Sequence, residues 1–192
     1  RFLENHDEPR AAEVFPLGMH QAAALITYLS PGLRFFHQGQ LEGYRRRVPV
    51  QLNRGPVEPI DPVVQSFYVM LLEMLKQPIL AEGSWRLLEC SPAWDGNHGW
   101  ENMVVYWWQR GEKERLMVVV NYSPEQSQCH VRLPEDALGK QLNTGMDERH
   151  GFVVLRDLLN QVVYQREEEH LDAYGLYIDL PAWGSHVFKL VI

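Results

Sequence analysis

The spacing of apolar positions changes character near residue 80. Upstream of it, short apolar runs alternate with helical stripes. Phe2 and Leu3 lead into Glu4 and Asn5, which predicts a short buried strand over residues 2–5. Over 19–29, Ala22, Leu25, Ile26 and Leu29 recur at i, i+3, i+4 and i+7, the stripe of an amphipathic helix. Ser30-Pro31-Gly32 ends it, and Leu33-Arg34-Phe35-Phe36 predicts a second buried strand. Gln38-Gly39-Gln40 then opens a long polar loop. Asp61-Pro62 supplies an N-cap and a proline at the first helical position. The helix predicted from Val63 to about Lys76 is apolar on nearly every side (Val64, Phe67, Met70, Leu71, Met74, Leu75), so it is expected to be buried on more than one of them. Gln77-Pro78 closes it.

Downstream of residue 80 the period falls to two. Strands are expected over 85–89, 103–108, 116–121, 128–133, 152–157, 162–165, 176–180 and 186–191. Most are separated by turn signals, including Asp95-Gly96-Asn97, Arg110-Gly111-Glu112 and Ser123-Pro124-Glu125. Short strands at this spacing predict an antiparallel β-sandwich. Glu167-Glu168-Glu169 reads as a solvated turn, and the sequence has no internal repeat. The fold class is therefore α/β plus all-β, with a first segment over 1–80 and an antiparallel sandwich over 81–192.

At the carboxyl end of the first predicted strand stand Asn5, His6 and Asp7, just before Pro9. In an α/β barrel that end of a strand faces the active site. A lone strand at a chain start has no neighbour for its backbone groups, so the chain is expected to be the back end of a larger protein.

The formal net charge of -7 runs against a nucleic-acid partner, which needs clustered Lys and Arg. The basic run Arg45-Arg46-Arg47 is only three residues long and reads as a solvated or salt-bridged loop. Cys90 and Cys129 lie far apart without a CxxC pattern, as two half-buried strand residues. No apolar run reaches the ~18 residues of a membrane span, so no membrane partner is expected. The compartment is left open, with a cytoplasmic location favoured. All six tryptophans fall in the β portion. Trp107 and Trp108 are adjacent, so one should face inward and the other outward as an exposed aromatic surface. His98 is a loop residue, and the other histidines form no readable cluster.

Three ordered segments resemble a known family. Phe2-Leu3-Glu4-Asn5-His6-Asp7 resembles the last of the short regions that define the α-amylase family of glycoside hydrolases. The segment 31–40, ending Gln38-Gly39-Gln40, resembles its Pro-Gly-(x)-Gly-Gln-Glu segment on the eighth barrel strand. Leu116 to Ser123 is similar to the VVxNxS strand of its carboxyl-terminal sandwich, and Leu158-Leu159 and 176–183 also fit that domain. One departure is that Leu41, not Glu, follows Gly39-Gln40.

The resemblance implies that 1–80 is the last quarter of a (β/α)8 barrel, followed by the carboxyl-terminal sandwich. It further implies an enzyme that cleaves α-glucans by a retaining mechanism. Family members use an Asp nucleophile, a Glu acid/base and a third carboxylate on strand seven; only the third is here, as Asp7. Its role would be to hold two sugar hydroxyls in a distorted ring and favour the oxocarbenium-like charge. His6 would hydrogen-bond the same sugar and Asn5 would orient its neighbours. A retaining pair of carboxyls stands about 5 Å apart. Glu4 and Asp7, three positions apart on a strand, would face opposite ways and cannot be that pair.

The chain alone is thus expected to be inactive, and to self-associate or pair with the missing barrel through exposed Phe2, Leu3, Phe35 and Phe36. No cofactor is evident; the calcium site common in the family lies in a segment absent here. Two alternatives stay open: a glucan transglycosylase of the same family, and a non-catalytic carbohydrate-binding or assembly protein. The triplet merely capping its strand is the bland counterpart of the site reading.

Overall fold

The computed structural model describes residues 1–52, 54–134, 137 and 151–191. A short helix α1 (Ala11–Val14) is followed by α2 (Leu17–Tyr28), α3 (Pro62–Leu75) and the short α4 (Ile79–Glu82). The predicted strands 2–5 and 33–36 are extended segments lying side by side. The Arg1 amino group donates to the Leu33 carbonyl, and Phe35 N donates to Arg1 O at 2.9 Å. That staggered pair is one rung of a parallel ladder. No further strand flanks them among the described residues, so the rung does not extend into a sheet.

The Asp61 side chain accepts from Val63 N at 3.0 Å and Val64 N at 3.2 Å, with Pro62 in the first turn of α3, as expected of a capped start. α3 buries one broad face (Val64, Phe67, Tyr68, Leu71, Met74), while Val63 and Val69 remain exposed. Burial on more than one side is therefore not what this chain shows.

From Ser84 onward the chain is antiparallel β-structure. β1 (Ser84–Leu87), β3 (Met103–Arg110), β4 (Glu114–Asn121), β6 (Phe152–Asp157), β7 (Val163–Glu167) and β9 (Ser185–Val191) form a sheet in the order β1-β3-β4-β9-β6-β7. β2 (Cys90–Ser91), β5 (Ser127–Val131) and β8 (Leu176–Leu180) form a second sheet, ordered β2-β5-β8. The acidic run expected to be a turn instead opens helix α5 (Glu168–Tyr174), with Glu168 and Glu169 in its first turn. Carboxylates there favour the helix dipole and stabilise it.

β3 and β4 read as unbroken apolar runs because the larger sheet is covered on both faces. One face (Val105, Trp107, Met117, Val119, Phe188, Leu190) meets Cys129, Val131 and Ile178 of the smaller sheet. The other (Tyr106, Trp108, Leu116, Val118, Val120, Val187) packs on α2 and α3. Trp107 is fully buried and Trp108 is 3% exposed. The expected outward tryptophan is thus overturned: alternation puts the two rings on opposite faces, and both faces are interior. Cys90 and Cys129, distant in sequence, come together on neighbouring strands β2 and β5.

The sheet also finishes α2. The last carbonyls of a helix lack intrahelical partners. Tyr106 Oη donates to Leu25 O at 2.9 Å, and Trp108 Nε1 to Leu29 O at 2.8 Å. Arg34 donates to the carbonyls of Tyr28, Ser30 and Leu80. On the far side, Asn121 Nδ2 donates to the carbonyls of Glu125, Leu180 and Pro181, tying two turns together. The second turn presents Trp183 at φ 58°, its ring against Gly18 of α2.

Candidate active-site loop

Residues 4–10 form a loop closed at its base by a buried ion pair. Glu4 Oε1 lies 3.1 Å from the Arg10 guanidinium and 3.4 Å from His37 Nδ1, and Glu4 Oε2 accepts from Ala11 N at 2.6 Å. Both Glu4 and Arg10 are almost fully buried. Burial pushes the Glu4 carboxyl above its ordinary pKa, while the Ala11 N–H, Arg10 and His37 pull it back. Arg10 also donates to Gln38 O at 2.9 Å and Tyr44 O at 3.3 Å, binding the loop to the segment after the second extended run.

Above this base the chain turns outward. Asn5 Oδ1 accepts from Asp7 N at 2.8 Å and Glu8 N at 3.0 Å, an Asx-type turn. It leaves the His6 and Asp7 side chains exposed, with His6 Nε2 3.2 Å from Asp7 Oδ2. Arg47 Nε donates to His6 O at 3.1 Å. Glu4 and Asp7 indeed face opposite ways, one into the interior and one into solvent. The three predicted site residues are therefore adjacent on one clamped loop, with Asn5 shaping it and His6 and Asp7 presenting their side chains.

Beside the loop lies a cavity of about 450 Å³ lined by His6, Arg10, His37, Tyr44, Arg46 and Glu58, among others. Asp7 touches this lining through His6. The basic run is mostly committed: Arg45 pairs with Asp61 at 3.6 Å, and Glu58 accepts from the Arg45 and Arg46 amides at 2.9 and 3.1 Å. A second cavity of about 440 Å³, between α2, α3 and the 183–185 turn, contains none of the predicted site residues.

A buried polar chain supports the loop from beneath. Gln40 Nε2 donates to Tyr28 Oη at 2.7 Å and Tyr68 Oη at 2.8 Å, while Gln40 Oε1 accepts from His37 N at 3.1 Å. Tyr28 Oη donates on to Phe35 O at 3.2 Å, and Leu3 N donates to Tyr28 Oη at 3.3 Å. Both extended segments are thereby tied to α2 and α3. Gly39, at φ 85°, makes the turn: a Cβ there would lie 2.5 Å from the Tyr44 ring and 2.6 Å from the Arg10 guanidinium. Leu41, where the family pattern has Glu, packs against the helical core.

Periodicity pointed to none of Arg10, His37, Gln40 or Tyr44, since buried polar groups in loops carry no repeat. The Gly39-Gln40 pair was their one visible signal. Among the described residues no group of three or more His, Cys, Asp or Glu is placed to hold a metal ion. No described helix is long and apolar enough to cross a membrane. His150 lies outside the described residues.

Parallel extended segments with helices behind them, a loop carrying Asn-His-Asp at their carboxyl ends and a docked antiparallel sandwich define one architecture. It is similar to part of the fold of solved α-amylase structures. No protein-family model and no curated protein matches the sequence. Solved structures do match the fold. A maltogenic α-amylase from Thermotoga neapolitana aligns over 100% of this chain and 41% of its own, with TM-score 0.73 and 16% identity. An α-amylase from Geobacillus thermoleovorans, complexed with acarbose, aligns over 100% of this chain and 38% of its own (TM-score 0.66, 17% identity). The trehalulose synthase MutB from Pseudomonas mesoacidophila aligns over 99% of this chain and 42% of its own (TM-score 0.56, 18% identity). The chain thus spans roughly two fifths of the length of each.

Proposed function

We propose that this chain is the carboxyl-terminal part of a glycoside hydrolase of the α-amylase type, acting on α-glucans by a retaining mechanism. The observation that carries this reading is the clamped loop presenting the His6 ring and Asp7 carboxylate side by side, 3.2 Å apart. A carboxylate so held accepts hydroxyl hydrogen bonds from one sugar and favours positive charge developing on its ring. His6 donates to a neighbouring hydroxyl of that sugar. Glu4 is occupied by Ala11, Arg10 and His37 and does not reach a substrate. The nucleophile and the acid/base then come from elsewhere in the full-length protein, and the isolated chain hydrolyses nothing.

The test is Asp7→Asn in the full-length enzyme. On this reading kcat on maltooligosaccharides falls by about 10³-fold or more with the fold unchanged by circular dichroism. A rate within a few-fold of wild type removes Asp7 from the chemistry. Hydrolysis by the isolated chain would likewise refute the assignment. The trehalulose synthase among the matching folds supports a second reading, glucosyl transfer to a sugar acceptor. Product analysis with added glucose separates the two. A non-catalytic carbohydrate-binding protein would show no turnover and unchanged ligand affinity in Asp7→Asn.

A further inference from the structure

The two cysteines of the chain meet on the smaller sheet, away from the loop described above. In the β2–β5 register Cys90 lies opposite Val131 and Ser91 opposite His130. Directly opposed residues share a face, and so do residues two apart on a strand. Cys129 therefore stands diagonally across from Cys90 on the same inward face, and the two thiols are in hydrogen-bond contact. Both are free thiols.

Their surroundings divide the labour between them. Cys129 is fully buried, among Val131, Ile178 and Trp107. Cys90 is half-buried, on a two-residue strand at the sheet edge. We propose that Cys90 and Cys129 form a covalent modification site, at which a small-molecule disulfide is reduced and a cross-strand disulfide closes between β2 and β5.

Chemistry and geometry agree on the order of steps. The Cys129 thiol donates a hydrogen bond that lowers the Cys90 pKa, whereas the Cys129 thiol itself is pushed up by that contact and by burial. The Cys90 thiolate attacks one sulfur of the reagent. The reagent S–S bond breaks, one thiolate leaves, and a mixed disulfide remains on Cys90. Cys129 then gives its proton to solvent and attacks the Cys90 sulfur, and the second reagent thiolate leaves. Overall two protein thiols lose two electrons and two protons, and one disulfide reagent becomes two thiols. Diagonal strand neighbours sit wider than an ideal disulfide, so one strand must shift slightly. β2 is suited to that shift, being short and, among the described residues, an edge strand whose ladder partner is β5.

The sequence contains only these two cysteines, so the test is unambiguous. The folded chain is incubated with oxidised glutathione and followed by intact mass and non-reducing electrophoresis. The expected product is a monomer lighter by two hydrogens, reversed by dithiothreitol. Cys129→Ala should stop at a glutathione adduct on Cys90, and Cys90→Ala should stay unmodified while folded. Four outcomes would overturn the proposal: a wild-type chain that stops at the adduct, one that forms only intermolecular dimers, one that reacts only once urea unfolds it, and a Cys90→Ala variant that reacts as fast as wild type. Circular dichroism of both variants confirms that a change in reactivity does not reflect a lost fold.

Discussion

His20 lies 2% exposed on α2, with Nε2 2.9 Å from the Tyr68 hydroxyl at the foot of the Gln40 network. Burial holds its imidazole neutral and lowers its pKa to about 4, with Asp61 a weaker opposing influence. In the unfolded chain the same ring titrates near 6.5. Between those values the unfolded state binds more protons than the folded one, so stability rises with pH through the window and is lost as pH falls from 6.5 towards 4. The full effect is on the order of 3 kcal/mol. His20→Asn should flatten this acid limb, which urea titrations at pH 4.5 and pH 7 measure directly. An unchanged difference in midpoint between the two pH values would place the acid sensitivity elsewhere. This position was not legible in the sequence. A lone histidine on an apolar helix stripe carries no sign of the tyrosine that meets it from 48 residues away. Asn5, His6 and Asp7 could be singled out in the sequence because they are adjacent polar residues at the end of an apolar run.

At the scale of elements, the sheet and α2 are joined by hydrogen bonds as well as by packing. Trp108→Phe removes the indole N–H from Leu29 O and leaves a gap beside α2. The expected cost is about 2–3 kcal/mol, read as a lower urea midpoint at constant m-value. Trp107→Phe offers the matched comparison, because its indole N–H donates to the Gln109 side chain at the sheet margin and not to α2. Equal losses at the two positions would mean that packing alone joins the elements. Strands β6 and β8 fell within the residues their alternation marked, because each has one polar face. α5 was missed because three consecutive glutamates look solvated, and only Leu171 buries from that helix. The period did not mark β2, because two residues cannot display one, although Cys90 itself reads as a strand residue.

At the scale of the molecule, the fold class was readable because the change of period at residue 80 is a change of architecture. How the parts share a core was not readable, since it depends on which face of β3 and β4 meets the helices. The extended segments keep one side open: Leu33 is 88% exposed, Phe2 52% and Phe35 47%, whereas Leu3 and Phe36 pack inward. So much clustered apolar surface favours association. The isolated chain is expected to sediment as a dimer or larger species in analytical ultracentrifugation, and Leu33→Lys with Phe35→Lys to shift it to monomer. A wild-type monomer at tens of micromolar would show that this surface is tolerated bare.

The way Tyr106, Trp108 and Arg34 terminate α2 bears on how such proteins can be recombined. Anyone exchanging the sandwich for that of a distant relative would naturally cut the gene between α4 and β1, where helices give way to strands. That crossover would strand the carbonyls of Leu25 and Leu29 opposite foreign side chains, and the segment leading to His37 and Gln40 would inherit the misfit. A junction upstream of α2 would move donors and acceptors as one block. The heritable unit here runs from the loop of Asp7 through the last strand, and it crosses the border that secondary structure draws.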